Sequence, residues 1–345
     1  MSHLFPYRWK LADGYPAKGI PHHGRKVFGT FICGGGSTMG YKLAGYDHLG
    51  GVEIDPKVAA VYKANHKPKH LYVEDIRAFN ERTDLPDELF NLDLLDGSPP
   101  CSSFSMAGSR EKGWGKEKVF REGQAHQRLD DLVFTYVETI AKLRPKVAIL
   151  ENVKGLLAGN AKAYAKEIVQ RLRGYGYTVQ VFLLNAATMG VPQMRERCFF
   201  IARLDATWPN LVLKFEEPPI LLRTVSVGSN EAGKKLTNAR TLRWSITKPG
   251  DSLDKADGGS GFNWTKADPN RVLGTISSGP AQMHWERPEH LSDYIMKGCG
   301  TYPQDYAFNG MDARYLIGMS VPPVMTAQIA HQINVQWFSN SVQTA

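Results

Sequence analysis

Through residues 26–204 short apolar runs of strand length alternate with stretches of helical length, and this alternation narrows the fold more than any other feature. "KVFGTFI", "LGGVEID", "KHLYVEDI", "LFNLDLLDG" and "KVAILEN" read as strands, and "STMGYKLAGY" and "PKVAAVYKANH" as helices between them. Successive parallel strands need a crossover, and helical crossovers cover both faces of the sheet. The pattern therefore predicts an α/β fold with a mostly parallel sheet. Pro56 opens its helix, since a fixed φ and a missing N–H suit the first helical position. In "LDDLVFTYVETIAKL", residues Leu132, Val133, Tyr136, Val137, Ile140 and Leu143 recur at helical spacing until Pro145 stops the run. A further helix is expected over roughly 160–173, then "YTVQVFLLN" and "RCFFIAR" as an antiparallel pair completing the sheet. From residue 205 the texture changes to "WPNLVLKFEEPPILL" and to Gly-, Ser-, Asp- and Lys-rich segments such as "KPGDSLDKADGGSGF", which predicts a smaller, irregular unit. "PPVMTAQIAHQINVQW" then reads as a helix packing back on the first unit.

In open α/β sheets ligands gather beyond the carboxyl ends of the strands, so the residues found there are the candidates for chemistry. They are the glycine loop at 33–36, Glu53 with Asp55, Asp75, the stretch from Asp96 to Cys101, and Glu151. Glycines let the backbone approach a ligand closely. Glu53, twenty residues beyond that loop, is placed to accept hydrogen bonds from a ribose diol, and without a strict GxGxxG spacing the cofactor expected is nucleoside-like rather than a dinucleotide. Asp75 and Ile76 suit an adenine amino group and its ring. Pro99 and Pro100 fix φ and remove two backbone donors ahead of Cys101, which holds that thiol in one direction. Glu151 ends an apolar strand, where a carboxylate is partly desolvated. A thiol nucleophile and a carboxylic acid together suit conjugate addition to an aromatic ring. Arg195 and Arg197, two apart in "PQMRER", share a side if extended, one suited to a carbonyl oxygen and the other to a phosphate or carboxylate.

Charge points the same way. The net charge is +8, and residues 101–200 carry 16 Lys and Arg against 9 Asp and Glu, so nearly all the excess follows Cys101. Cations concentrated around one loop suit an anionic partner, of which nucleic acid is the commonest large one. The cysteines at 33, 101, 198 and 299 are too dispersed for a CxxC metal clasp or a dense disulfide framework, so reduced thiols and no metal are expected. With no signal-peptide pattern and no window apolar enough for a membrane span, a cytoplasmic protein is expected.

Taken in order, "FICGGGSTMG", "EID", "EDI", "GSPPCSSFS", "ILENV", "MGVPQMRER", "RVLGTIS" and "IGMSVPP" resemble the DNA (cytosine-5)-methyltransferases over residues 27 to about 333. The resemblance implies a Rossmann-like core that uses S-adenosylmethionine, with a small target-recognition domain. On that basis residues 1–24 are an N-terminal extension, 25–204 the catalytic domain, 205–300 the recognition domain and 301–345 a segment returning to the core. It implies Cys101 as the nucleophile at cytosine C6, Glu151 as the acid at N3 and N4, Arg197 on the base O2 and Arg195 as its support. For the cofactor it implies Phe31 with Gly35 and Gly36 in the loop, Glu53 on the ribose, and Ile54, Asp75 and Ile76 around the adenine. Pro99, Leu132 and Ser320 are further contacts. The expected partner is double-stranded DNA, the target base is flipped out, and the protein is a monomer.

Gly29, Cys33, Ser102 and Met319 depart from the family pattern, which puts the methionine end of the cofactor site in question. The segment after Cys101, "SMAGSREKGWGKEKVFREGQAHQR", reads as a lid over the DNA strand, and Arg223, Arg240, Arg243 and Lys248 as DNA contacts. The alternatives are a tRNA cytosine methyltransferase of the same family, an enzyme acting on nucleotides in the manner of thymidylate synthase, and a DNA-binding protein without catalysis.

Overall fold

A computed structural model describes residues 3–100, 131–257, 264–279 and 282–339. Among the described residues nine strands follow one another: β1 (Lys26–Thr30), β2 (Asp47–Glu53), β3 (His70–Val73), β4 (Leu94–Gly97), β5 (Val147–Val153), β6 (Thr178–Asn185), β7 (Gln193–Met194), β8 (Glu196–Arg203) and β9 (Leu273–Gly274). The helices are α1 (Gly36–Leu43), α2 (Pro56–His66), α3 (Ile76–Glu81), α4 (Leu132–Leu143), α5 (Lys162–Gly174), α6 (Leu222–Ser226), α7 (Asn238–Ile246), α8 (Asp293–Cys299), α9 (Ala313–Met319) and α10 (Pro323–Ile333).

Seven strands form the sheet, in the order β3-β2-β1-β4-β5-β8-β6. The first five are parallel, and β8 runs antiparallel to both β5 and β6. Side-chain alternation sorts the core into two layers. On one face Val27, Leu94, Val147, Ile149, Phe199 and Ile201 pack with α1, α2 and α10; on the other Phe28, Leu95, Ala148, Leu150 and Phe200 pack with α3, α4 and α5. The chain leaves β1 toward β2 and β3, then returns to β4 on the opposite side of β1, so the order reverses between β1 and β4 and a crevice opens at their carboxyl ends.

Two strands are shorter than their sequence patterns. "KHLYVEDI" stops pairing at Val73 because Asp75 caps α3, accepting from Arg77 N at 2.8 Å. "LFNLDLLDG" begins as a 3-10 turn over Asp87–Phe90 and extends only from Leu94.

Beyond β8 short helices and isolated bridges replace the sheet. Side-chain bonds to backbone hold the segment, as where Trp244 Nε1 donates to His284 O at 2.7 Å, around a small cluster of Leu236, Leu253 and Met283. Helix α10 lies in the main core, followed by a π-helical turn over Asn334–Phe338. The N-terminal residues also enter this core: Phe5 and Trp9 are buried, and Trp9 Nε1 donates to Thr301 O at 2.9 Å. Among the described residues no helix is long and apolar enough to cross a membrane.

Candidate functional site

The crevice between β1 and β4 is built on a loop with unusual backbone. Phe31 (φ 55°), Cys33 (φ 45°) and Gly35 (φ 72°) all take left-handed conformations. A Cβ on Gly35 would lie 2.2 Å from His66 Nε2, and one on Gly36 would lie 2.2 Å from Val321 O. The glycines therefore let α2 and the 320–321 segment press on the loop, a demand that the sequence pattern alone attributes to a ligand. Glu53, at the end of β2, ties the loop down: Oε2 accepts from Cys33 N at 2.9 Å and Oε1 from Asp55 N at 3.0 Å. Burial lifts its carboxyl to about 7 against the pull of these amide bonds.

Of the expected cofactor residues, Phe31, Gly36 and Ser320 line the crevice itself. Phe31 packs against the cluster that holds Ile76 and Leu132, both nearly fully buried. Ile54 is partly buried beside Glu53. Asp75 is engaged with its own helix, pairing with Arg77 at 3.1 Å in addition to its capping bond. Ser320 accepts from Tyr302 OH at 2.7 Å. The cleft is lined by Phe31, Gly36, Ser37, Asp96, Ser98, Met319 and Ser320. The aromatic ring, the hydroxyls and the Asp96 carboxylate of this lining, with Glu53 behind the loop at Cys33, form a set of groups that fits a ligand with ribose hydroxyls and positive charge, as S-adenosylmethionine has. Among the described residues no group of three or more His, Cys, Asp or Glu is disposed to hold a metal ion.

The second half of the site lies at the ends of β5 and β8. Glu151 is 8% exposed and its Oε1 lies 3.0 Å from Arg197 Nε. The next residue, Asn152, donates Nδ2 to Pro99 O at 3.3 Å, while its Oδ1 accepts from Val153 N at 2.7 Å. That bond anchors the buried Pro99, two residues before Cys101. Cys101 itself, with residues 102–130 and so the expected lid, lies outside the described residues.

Arg195 is buried and donates to two carbonyls, Ile276 O and Gly318 O, each at 2.9 Å. Burial, with Arg197 beside it, lowers this guanidinium to about 9. Gln193 makes parallel ties, accepting from Ile276 N at 3.0 Å and donating to Cys299 O at 3.2 Å. Three motifs distant in sequence, "PQMRER", "RVLGTIS" and "IGMSVPP", thus meet at one hub.

Asn152 and Gln193 tie the elements of the site together, and sequence reasoning does not single them out. Both stand inside quoted motifs, but their polar side chains give no periodic signal. Of the expected DNA contacts, Arg240 stacks 3.6 Å from the Trp264 ring centroid and Arg223 donates to Asn270 Oδ1 at 3.0 Å, while Arg243 and Lys248 are exposed.

The family model for C-5 cytosine-specific DNA methylase matches residues 26–335. Type II methyltransferase M1.HphI of Haemophilus parahaemolyticus is 25% identical over 337 residues, 88% of this chain and 85% of that protein. M.HindV of Haemophilus influenzae is 25% identical over 89% of this chain and 96% of its own. M.NgoPII of Neisseria gonorrhoeae is 33% identical over 198 residues, so that the chain spans about half (51%) of that relative's length. In three dimensions the fold is shared with Spodoptera frugiperda DNMT2 (TM-score 0.64, 17% identity, covering 90% of this chain and 99% of that one). It is shared equally with the Entamoeba histolytica methyltransferase EhMeth (TM-score 0.63, 13% identity, covering 91% and 99%).

Proposed function

Because the chain belongs to the C-5 cytosine-specific DNA methylase family, we propose that it transfers a methyl group from S-adenosylmethionine to C5 of a cytosine flipped out of double-stranded DNA. Cytosine C5 is a poor nucleophile in the intact ring. Addition of the Cys101 sulfur at C6 pushes electrons toward N3, and Glu151, hydrogen-bonding or protonating that nitrogen, makes C5 electron-rich. S-adenosylmethionine supplies the electrophilic methyl when bound. Loss of the C5 proton and departure of the sulfur then restore the aromatic ring. Arg197 holds the Glu151 carboxylate and is assigned to the base O2. Asn152 fixes the approach of the Pro-Cys loop, and Arg195 holds the hub behind them. Glu53 is assigned to the ribose diol, Phe31 to the adenosine and sulfonium region, Ile54, Asp75 and Ile76 to the adenine surroundings, and Gly35, Gly36, Pro99, Leu132 and Ser320 to further cofactor contacts.

The observation that carries this reading is the buried Glu151–Arg197 pair at 3.0 Å, beside a side-chain clamp on Pro99. A carboxylate held at that depth next to the nucleophile loop is what ring activation requires. Extracting the base from the duplex costs a few kcal/mol, which the pocket and phosphate contacts must offset. The segments around 223–248 are assigned to DNA recognition, and the protein acts as a monomer in the cytoplasm. Bisulfite sequencing of plasmid DNA and of tRNA from cells expressing the protein tests the substrate: methylated plasmid supports DNA, and modified tRNA with unmodified plasmid overturns it. A covalent adduct with 5-fluorocytosine DNA, absent for Cys101→Ser, tests the nucleophile.

A further inference from the structure

In β4 the run "LLDG" is buried throughout, a setting that favours unbroken apolar side chains. Leu94 and Leu95 obey, but Asp96 does not. It is 7% exposed, on the face covered by α1, and lines the cleft with Phe31, Ser37, Ser98, Met319 and Ser320. Tyr41 OH donates to its Oδ1 at 2.9 Å. The titratable groups facing it are Tyr41 from α1, Tyr62 from α2, Tyr136 from α4 and Glu151 from β5, so no cation among the described residues offsets its charge. A buried carboxylate held only by hydroxyls is expensive to keep ionised, whereas a leucine there would not be. Something that enters the cleft has to repay that cost.

Resting on the S-adenosylmethionine site proposed above, we propose that Asp96 is the counter-charge for the cationic methionine end of the donor, its sulfonium or its α-ammonium group. Met319 and Cys33, where this sequence departs from the family pattern, line the same cleft as Asp96. The acid and these departures therefore form one locally altered subsite. Burial raises the Asp96 carboxyl to about 7, with Tyr41 and Ser37 pulling it down and Glu151 pushing it up. A cation bound beside it would favour the ionised carboxylate and so release its proton.

The test is calorimetric binding to the ligand-free protein at pH 8, with S-adenosylmethionine, S-adenosylhomocysteine and methylthioadenosine as probes. For Asp96→Asn, nearly isosteric, S-adenosylmethionine is expected to bind at least tenfold more weakly and methylthioadenosine unchanged. A loss shared by S-adenosylhomocysteine assigns the charge to the ammonium, and a loss confined to S-adenosylmethionine assigns it to the sulfonium. Equal affinity of Asp96→Asn and wild type for S-adenosylmethionine overturns the inference. A wild type that binds none of the three overturns the cofactor reading itself. Tyr41→Phe keeps the charge but removes its donor, so the pH below which S-adenosylmethionine binding weakens must move upward; an unmoved profile counts against Asp96, even if the Asn variant fails to fold. Glu53, also raised to about 7, titrates in the same range, and its contribution is whatever pH dependence Asp96→Asn retains.

Discussion

The two halves of the strand-end crevice handle buried charge in opposite ways. Between β1 and β4, Glu53 and Asp96 are met only by backbone amides and hydroxyls among the described residues. Between β5 and β8, Glu151 is matched by Arg197, and Arg195 is consumed by two carbonyls. Under the inference above, the first half is a receptor whose charge the ligand completes. The second is assembled in advance, with its ion pair and its scaffold wired before any substrate arrives. Changes in the second half should be felt in chemistry and folding, and changes in the first in ligand affinity and pH response. The sharpest way to break that contrast is Glu151→Gln. It keeps the shape and removes the acid, so methyl transfer to DNA should fall by about 10²–10⁴-fold, the usual worth of a positioned acid. Binding of S-adenosylmethionine should stay within twofold, and a matching loss of cofactor affinity would show that the halves are not separate.

Next in size is the hub. Arg195→Met preserves bulk but leaves the carbonyls of Ile276 and Gly318 without donors in a buried setting. Urea unfolding should show a loss of about 2–4 kcal/mol, the cost of two orphaned acceptors less the relief of desolvating one guanidinium. An unchanged midpoint would mean the hub is not what joins the 276 and 318 segments to β8.

That hub also marks the limit of what the sequence discloses. Strands β1, β2 and β5 and helices α2 and α4 were legible because periods of two and 3.6 residues, with Pro56 and Pro145 as punctuation, are local signals. The six-residue α3 was not, since Asp75 and Ile76 also fit the end of a strand. Arg195 and Arg197 were legible as a pair. That one grips carbonyls 81 and 123 residues away was not, because no local period encodes such a bond. Asp96 was visible as a strand-end acid, but its isolation from cations emerges only when α1, α2, α4 and β5 close around it.

The receptor half can be tested through its protons. Asp96 and Glu53 have folded pKa values near 7, above their ordinary values of 3.8 and 4.5. The folded state therefore holds protons that the unfolded chain has released. The stability these groups contribute is full below about pH 4 and is lost as pH rises through 7. Thermal melts of the ligand-free protein should show a decline between those limits from these two groups, shallower in Asp96→Asn. S-adenosylmethionine should abolish part of it in the wild type.

Packing around the cofactor loop gives a smaller effect. Gly36→Ala places a methyl 2.2 Å from Val321 O, a backbone atom that cannot swing aside. A loss of about 1–3 kcal/mol is expected from such overpacking, together with weaker S-adenosylmethionine binding, as the 320–321 segment is pushed off the cleft. Gly174→Ala is the control. A Cβ there meets nothing within 4 Å at the end of α5, so stability should hold or rise by up to about 1 kcal/mol, with cofactor binding unaltered.

The smallest expected effect isolates burial from mere pairing. Lys154 and Glu196 join the same edge of the molecule as Glu151 and Arg197, at the same 3.0 Å, but with side chains 52% and 45% exposed against 10% and 14%. Water already solvates the outer pair, so Lys154→Ala should change unfolding free energy by about 0.5 kcal/mol or less and leave methyl transfer intact. Removing Arg197 strands a carboxylate away from water and should cost several times more. Equal costs for Lys154→Ala and Arg197→Ala in urea unfolding would mean that the depth of Glu151, on which its assignment as the ring-activating acid depends, contributes nothing.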